Sequence, residues 1–243
     1  MRIVAVIPSR YSSTRFEGKP LAPIAGKAMI QRVYESAVQS KSVSDVVVAT
    51  DDERIYDAVR RFDGQAMMTS PENRSGTDRV AEVAERLGLT PDEIVINIQG
   101  DQPLVHPACL DAVVEPLVQS PDIGMSTLGY EITDRREYHN PKDCKVVMDH
   151  QGFALYFSRA AIPFARDGGE AFPAYKHLGV YAYTRRFLDL FRQLPTGRLE
   201  EIEKLEQLRV LEHGHRIKVV VTPHDSPEVD LPEDIGRIEQ MLR

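Results

Sequence analysis

The chain has 243 residues, is 42% hydrophobic and 28% charged, and carries a net charge of −7. That is enough sequence for one large α/β domain with a lobe. An acidic balance argues against nucleic acid or a membrane surface as partner, since both attract a basic excess. Its two cysteines, Cys109 and Cys144, have no metal-ligand or C-x-x-C spacing and read as buried free thiols. The N-terminal apolar run is too short for a signal peptide, and no stretch approaches the ~18 apolar residues of a membrane span, so the expected location is the cytoplasm.

In chain order, residues 3–7 read as a buried strand that breaks at Pro8 into a polar loop carrying Arg10, Arg15 and Lys19. Strand patterns at 46–50, 66–69 and 93–98 alternate with helical patterns near 29–40, 53–61 and 77–87. Such alternation predicts parallel βαβ units with helices on both faces of the sheet. A helix over 107–119 and a strand over 124–130 follow. The runs 144–148 and 154–157 flank Asp149-His150-Gln151-Gly152 and read as a hairpin, which places antiparallel strands in the sheet or in a small lobe at roughly 130–195.

Gly168-Gly169 lies in a polar loop, read as a surface excursion in preference to a lid, before a strand over 177–184. Pro195 to Gly197 ends one helix. The next is expected over 199–213, with Ile202, Leu205, Leu208 and Leu211 as its core stripe. A strand over 218–222 and a helix over 232–242, with proline and acids in its first turn, close the chain.

The loop after the first strand lacks both G-x-x-x-x-G-K-[ST] and G-x-G-x-x-G, so side chains must hold whatever anion binds there. Arg10 and Lys19 are the leading candidates, supported by Arg15 and the Ser13 hydroxyl; the alternative is that they pair with surface acids. Asp101 follows the strand 93–98 directly, and Gly100 permits close backbone approach at the ligand edge of the sheet. The segment Ser75-Gly76-Thr77-Asp78-Arg79 opens a helix, where exposed amides suit an anion but simple capping is an equal reading. The acids Asp51, Asp52 and Glu53 belong to a helix N-terminus and are given a structural role.

Pro8-Ser9-Arg10, Ser13-Thr14-Arg15 and Gly18-Lys19-Pro20-Leu21 together resemble the signature loop of the sugar-acid cytidylyltransferases. With Asn97-Ile98-Gln99-Gly100-Asp101, Ala154 to Arg159 and Leu205-Glu206-Gln207-Leu208-Arg209, the resemblance narrows to the 3-deoxy-manno-octulosonate (Kdo) cytidylyltransferases and spans nearly the whole chain. Segments such as 177–186 and 211–215 are similar to the subgroup that uses 8-amino-3,8-dideoxy-manno-octulosonate. The resemblance implies a Rossmann-like α/β nucleotidyltransferase sheet and transfer of CMP from CTP to the sugar acid, with release of pyrophosphate. It further implies Mg2+, a homodimer and a role in lipopolysaccharide biosynthesis.

By the same resemblance, Asp101 and Asp230 are metal ligands and, with Lys19 and Arg10, the catalytic set. Ser75 and Arg79 help grip the nucleotide. Arg159 reads the sugar carboxylate, and Gln99, His177, Tyr181, Glu206 and Gln207 contact the sugar. Judged without it, Asp230 is a turn acid or helix cap, Tyr181 is equally a half-buried aromatic or a ligand contact, and Glu206 and Gln207 are solvated. The sequence departs from the common form at Glu17, at Gln102, where glutamate is usual, and at Glu228, where glycine is usual. The alternatives to this reading are cytidylyl transfer to another sugar acid such as a sialic acid, and a non-catalytic nucleotide-binding module.

Overall fold

A computed structural model describes residues 1–12, 15–168 and 172–242. The strands are β1 (Ile3–Ser9), β2 (Pro23–Ile24), β3 (Lys27–Ala28), β4 (Asp45–Thr50), β5 (Ala66–Met68), β6 (Ile94–Asn97), β7 (Met125–Glu131), β8 (Lys145–Met148), β9 (Ala154–Ser158), β10 (Tyr175–Thr184) and β11 (Lys218–Thr222). The helices are α1 (Met29–Val38), α2 (Glu53–Arg61), α3 (Gly76–Arg86), α4 (Pro107–Gln119), α5 (Arg135–His139), α6 (Arg185–Gln193), α7 (Arg198–Glu203), α8 (Leu208–Glu212) and α9 (Asp234–Met241).

The main sheet runs β11-β7-β10-β6-β1-β4-β5. The pairs of β1 with β4 and β6, β4 with β5, and β7 with β11 are parallel, and β10 is antiparallel to both of its neighbours. The expected parallel units are therefore present, with β10 inserted against the grain between β6 and β7. The hairpin β8–β9 is antiparallel and joins the sheet through β10, as the turn residues indicate.

Strand alternation divides the core between the two faces. Ile3, Ala5 and Ile7 of β1 pack with α1, α2 and α4, while Val4 and Val6 pack with α3, α6 and α8. The chain crosses from the β4 side of β1 to the β6 side, and a ligand crevice is expected beyond the carboxyl ends of β1 and β6 at this reversal. A small separate core of Ala22, Ile24, Met29, Val229 and Ile238 presses α9 and the segment before it onto the loop that follows β1.

Three local expectations are corrected. Pro8 does not end the first strand: Pro8 and Ser9 continue the parallel register opposite Ala49 and Thr50, which a proline at a strand end tolerates. The single helix over 199–213 is two, because Lys204 adopts a left-handed conformation at φ 55° and closes α7. The apolar stripe breaks with it: Leu205 and Leu208 are buried, but Ile202 is 67% exposed. The expected last helix starts at Asp234, whose carboxylate accepts from the amides of Asp230 and Leu231 and so shapes the turn ahead of it.

Candidate active site

Close backbone approach creates the crevice. A Cβ on Gly100 would lie 2.8 Å from Ser9 Oγ and 3.3 Å from Pro8 O, so only glycine lets the loop after β6 lie against the end of β1. Asp101 is thereby brought to the loop that follows β1. There Gly18, at φ 68°, starts a 3-10 turn over Lys19–Leu21. Lys19 Nζ donates to Asp101 Oδ2 at 2.6 Å and to the Val229 carbonyl at 3.1 Å. The Val229 amide donates to Asp101 O at 2.9 Å. Asp230 forms an ion pair with Arg15 at 3.1 Å. The two acids assigned to the metal are thus neighbours, although 129 positions separate them in the sequence.

The arrangement adds a third carboxylate. Glu228 is open to solvent on the crevice floor and accepts from Gln102 Nε2 at 3.3 Å. The surrounding protein, together with the charges of Asp101 and Asp230, pushes its carboxyl up to about 7. Glu228 and Asp230 flank the buried Val229, and both stay at least partly exposed.

On the other lip, the Gly76 position abuts Pro8, which sets the N-terminus of α3 at the end of β1. Ser75 caps α3: its hydroxyl accepts from the Asp78 amide at 3.1 Å, and the Asp78 carboxylate accepts from the Ser75 amide at 3.2 Å. Exposed Arg10 reaches this lip and donates to the Asn73 carbonyl. Glu206, in the break between α7 and α8, accepts from Thr77 Oγ1 at 2.8 Å, and burial raises its carboxyl above the usual range.

Arg79 is a correction. Its side chain is 0% exposed, and its guanidinium donates to Asp51 at 2.7 Å and to Thr69. It braces α3 against the loop after β4 and does not face the crevice. The acid run 51–53 has the structural role expected of it, because Asp52 caps α2 through the Arg54 amide.

The residues assigned to the sugar divide between two places. On β10, a bulge between His177 and Tyr181 is centred on Gly179 at φ 66°. The rings of His177 and Tyr181 stay on one side, 5.2 Å apart, and Gln99 Nε2 donates to the Gly179 carbonyl at 3.4 Å. Burial holds the His177 imidazole down to about 3, so it is neutral beside Thr127 Oγ1 at 2.9 Å. Arg159 follows β9 directly and donates to the carbonyls of Glu203 at 2.8 Å and Pro141 at 3.1 Å. Gln207 is turned inward, 3% exposed, towards Cys144. Ser13 lies outside the described residues, as does Gly169 of the loop read as a surface excursion. Cys109 and Cys144 are both buried free thiols, and burial pushes Cys144 up to about 12, which leaves no thiolate nucleophile at neutral pH.

Comparison with known proteins decides the family. The cytidylyltransferase family model matches residues 4–217. A 3-deoxy-manno-octulosonate cytidylyltransferase of Desulfosudis oleivorans is 64% identical over 242 residues, covering 100% of this chain and 98% of that protein. The chain belongs to the 3-deoxy-manno-octulosonate cytidylyltransferase family. An 8-amino-3,8-dideoxy-manno-octulosonate cytidylyltransferase of Shewanella amazonensis is 56% identical, covering 100% of this cytidylyltransferase and 99% of that one.

Among solved structures, CMP:2-keto-3-deoxy-manno-octonic acid synthetase complexed with CTP matches with a TM-score of 0.93 at 40% identity, over 100% of this chain and 98% of that one. A cytidylyltransferase from Leptospira borgpetersenii, 16% identical with a TM-score of 0.65 over 98% of this chain and 85% of that one, shares the fold. This cytidylyltransferase is therefore a mixed α/β enzyme with a mostly parallel sheet between helical layers. Among the described residues no helix is long and apolar enough to cross a membrane.

Proposed function

We propose that this enzyme transfers CMP from CTP to the anomeric 2-hydroxyl of 3-deoxy-manno-octulosonate or its 8-amino analogue. A bond forms between that oxygen and the α-phosphorus, the bond to the β-phosphate oxygen breaks, and pyrophosphate leaves. The observation that carries the reading is the convergence of Lys19, Asp101, Arg15 and Asp230 at the carboxyl ends of β1 and β6.

The donor set suits magnesium, which takes one or two carboxylates and completes its shell with phosphate oxygens and water. No ready cage of three or more His, Cys, Asp or Glu side chains occurs among the described residues. Asp101 and Asp230 would hold the ion, which when bound neutralises phosphate charge and lowers the pKa of the attacking alcohol. Lys19, Arg15 and Arg10 supply positive charge to the triphosphate, and their loop aligns it for in-line attack. Gln99, His177 and Tyr181 make a wall for the sugar, with His177 as a neutral hydrogen-bonding group. Arg159 is the cation assigned to the sugar carboxylate.

A homodimer formed through the lobe is supported by the exposed side chains of Leu155 and Phe164. The cytoplasm, where CTP is available, is the location that suits the reaction. Incubating the protein with CTP, magnesium and each octulosonate, and measuring pyrophosphate and the CMP-sugar by mass, tests the reading. Pyrophosphate and product are expected in equal amounts, and their absence with both sugars would overturn it.

A further inference from the structure

Asp101 and Asp230 each have a cation, Lys19 at 2.6 Å and Arg15 at 3.1 Å. Glu228 stands beside them in the open crevice with no ion pair among the described residues, and the donor it has is the Gln102 amide. Gln102 is fully buried, and its Nε2 is already shared between Glu228 and the Leu178 carbonyl. The Oε1 of the same amide is buried without a partner. The nearby cations are engaged elsewhere: Lys19 is paired with Asp101, and Arg237 donates to the main-chain carbonyl of Glu228 at 3.4 Å, so the carboxylate itself keeps acceptor capacity to spare.

Its position is equally specific. A Cβ on Gly179 would come within 3.5 Å of Gln102 Nε2 and of Glu228 Oε1, and 3.7 Å of Gln99 Cγ. Glu228 therefore lies where the acids of the proposed metal site meet the sugar wall of Gln99, His177 and Tyr181.

We infer that Glu228, oriented by Gln102, receives the primary ammonium of an aminated octulosonate and so determines preference for the 8-amino over the 8-hydroxy acid. The inference rests on the reaction proposed above. An ammonium brings three donors and a full charge to a carboxylate whose side-chain donor among the described residues is the Gln102 amide. A hydroxyl brings one donor and leaves that charge uncompensated.

The test is kcat/KM for the two sugars at saturating CTP and magnesium, in wild type, Glu228→Gln and Glu228→Asp. Wild type is expected to favour the 8-amino acid. Glu228→Gln, isosteric at an open position, should reduce that preference on the order of tenfold or more, and Glu228→Asp should retain part of it. Equal losses for both sugars, a wild-type preference for the hydroxy acid, or a rise in the magnesium needed for half-maximal rate would overturn the inference and leave the reaction standing. Failure of wild type to release pyrophosphate with either sugar would remove the reaction and the inference together.

Discussion

Asp101→Asn separates catalytic from structural roles. In the folded chain Asp101 is 23% exposed and its ion-pair partner Lys19 is 16% exposed, with 2.6 Å between them. A charge-assisted hydrogen bond of this kind contributes about 1.5–3 kcal/mol. Asparagine keeps an oxygen that accepts from Lys19, and the substitution also removes one of the charges that oppose Glu228. These effects offset each other, so the net stability change is on the order of 1 kcal/mol, or about 2–4 °C in Tm for a chain of this size. Loss of one of the two carboxylates proposed to hold the metal would act on the transition state, and a drop of about 10³ in kcat, roughly 4 kcal/mol, is expected. Steady-state pyrophosphate release and a thermal melt by circular dichroism read the two quantities on one preparation. Turnover within about tenfold of wild type would remove Asp101 from the chemistry. A fall in Tm of more than about 10 °C would make it primarily the counter-ion of Lys19.

Arg79→Met leaves Asp51 unpaired beside a buried site and should cost about 3–5 kcal/mol, seen as a fall in Tm of roughly 10 °C. Weakened CTP binding with unchanged Tm would instead restore the direct nucleotide role. His177 is neutral in the fold because its folded value, about 3, lies below the ordinary histidine value near 6.5. Between those values the unfolded chain binds a proton that the native chain does not, so stability falls on acidification through this window. His177→Gln should show a smaller acid-induced drop in the urea midpoint, and an identical drop would mean that other groups govern it. Arg159→Ala should raise KM for the sugar acid more than KM for CTP. A parallel rise in both would detach Arg159 from the carboxylate.

Much of the fold is legible because the faces of its strands are written in alternation. Ile3, Ala5 and Ile7 go to one core and Val4 and Val6 to the other, and the helices that cover them carry matching stripes. The break at Lys204 is not legible, since threefold spacing of leucines suits an unbroken helix and a lysine gives no cue for a left-handed φ. Nor does a strand pattern state its neighbours: β10 lies between β6 and β7 through contacts made far along the chain.

The site divides along the same line. Lys19 and Asp101 each follow a buried strand, which is enough to place them at one edge of the sheet. Asp230 arrives through the packing of Val229 and Ile238 against Ala22, Ile24 and Met29, a contact no local pattern specifies. Arg79 is assigned to the nucleotide by resemblance, and its side chain is instead buried against Asp51. The helix dipole disfavours a cation in that turn, and a buried one requires an acid, which Asp51 supplies. The same requirement governs the crevice. Lys19 and Arg15 are the internal counter-ions of Asp101 and Asp230, so a ligand that draws both cations away must return positive charge to the acids. Otherwise those acids and Glu228 would confront one another between protein walls. A triphosphate alone supplies no such charge and a divalent ion alone supplies no anion for the cations, whereas the two arriving together satisfy Lys19, Arg15, Asp101 and Asp230.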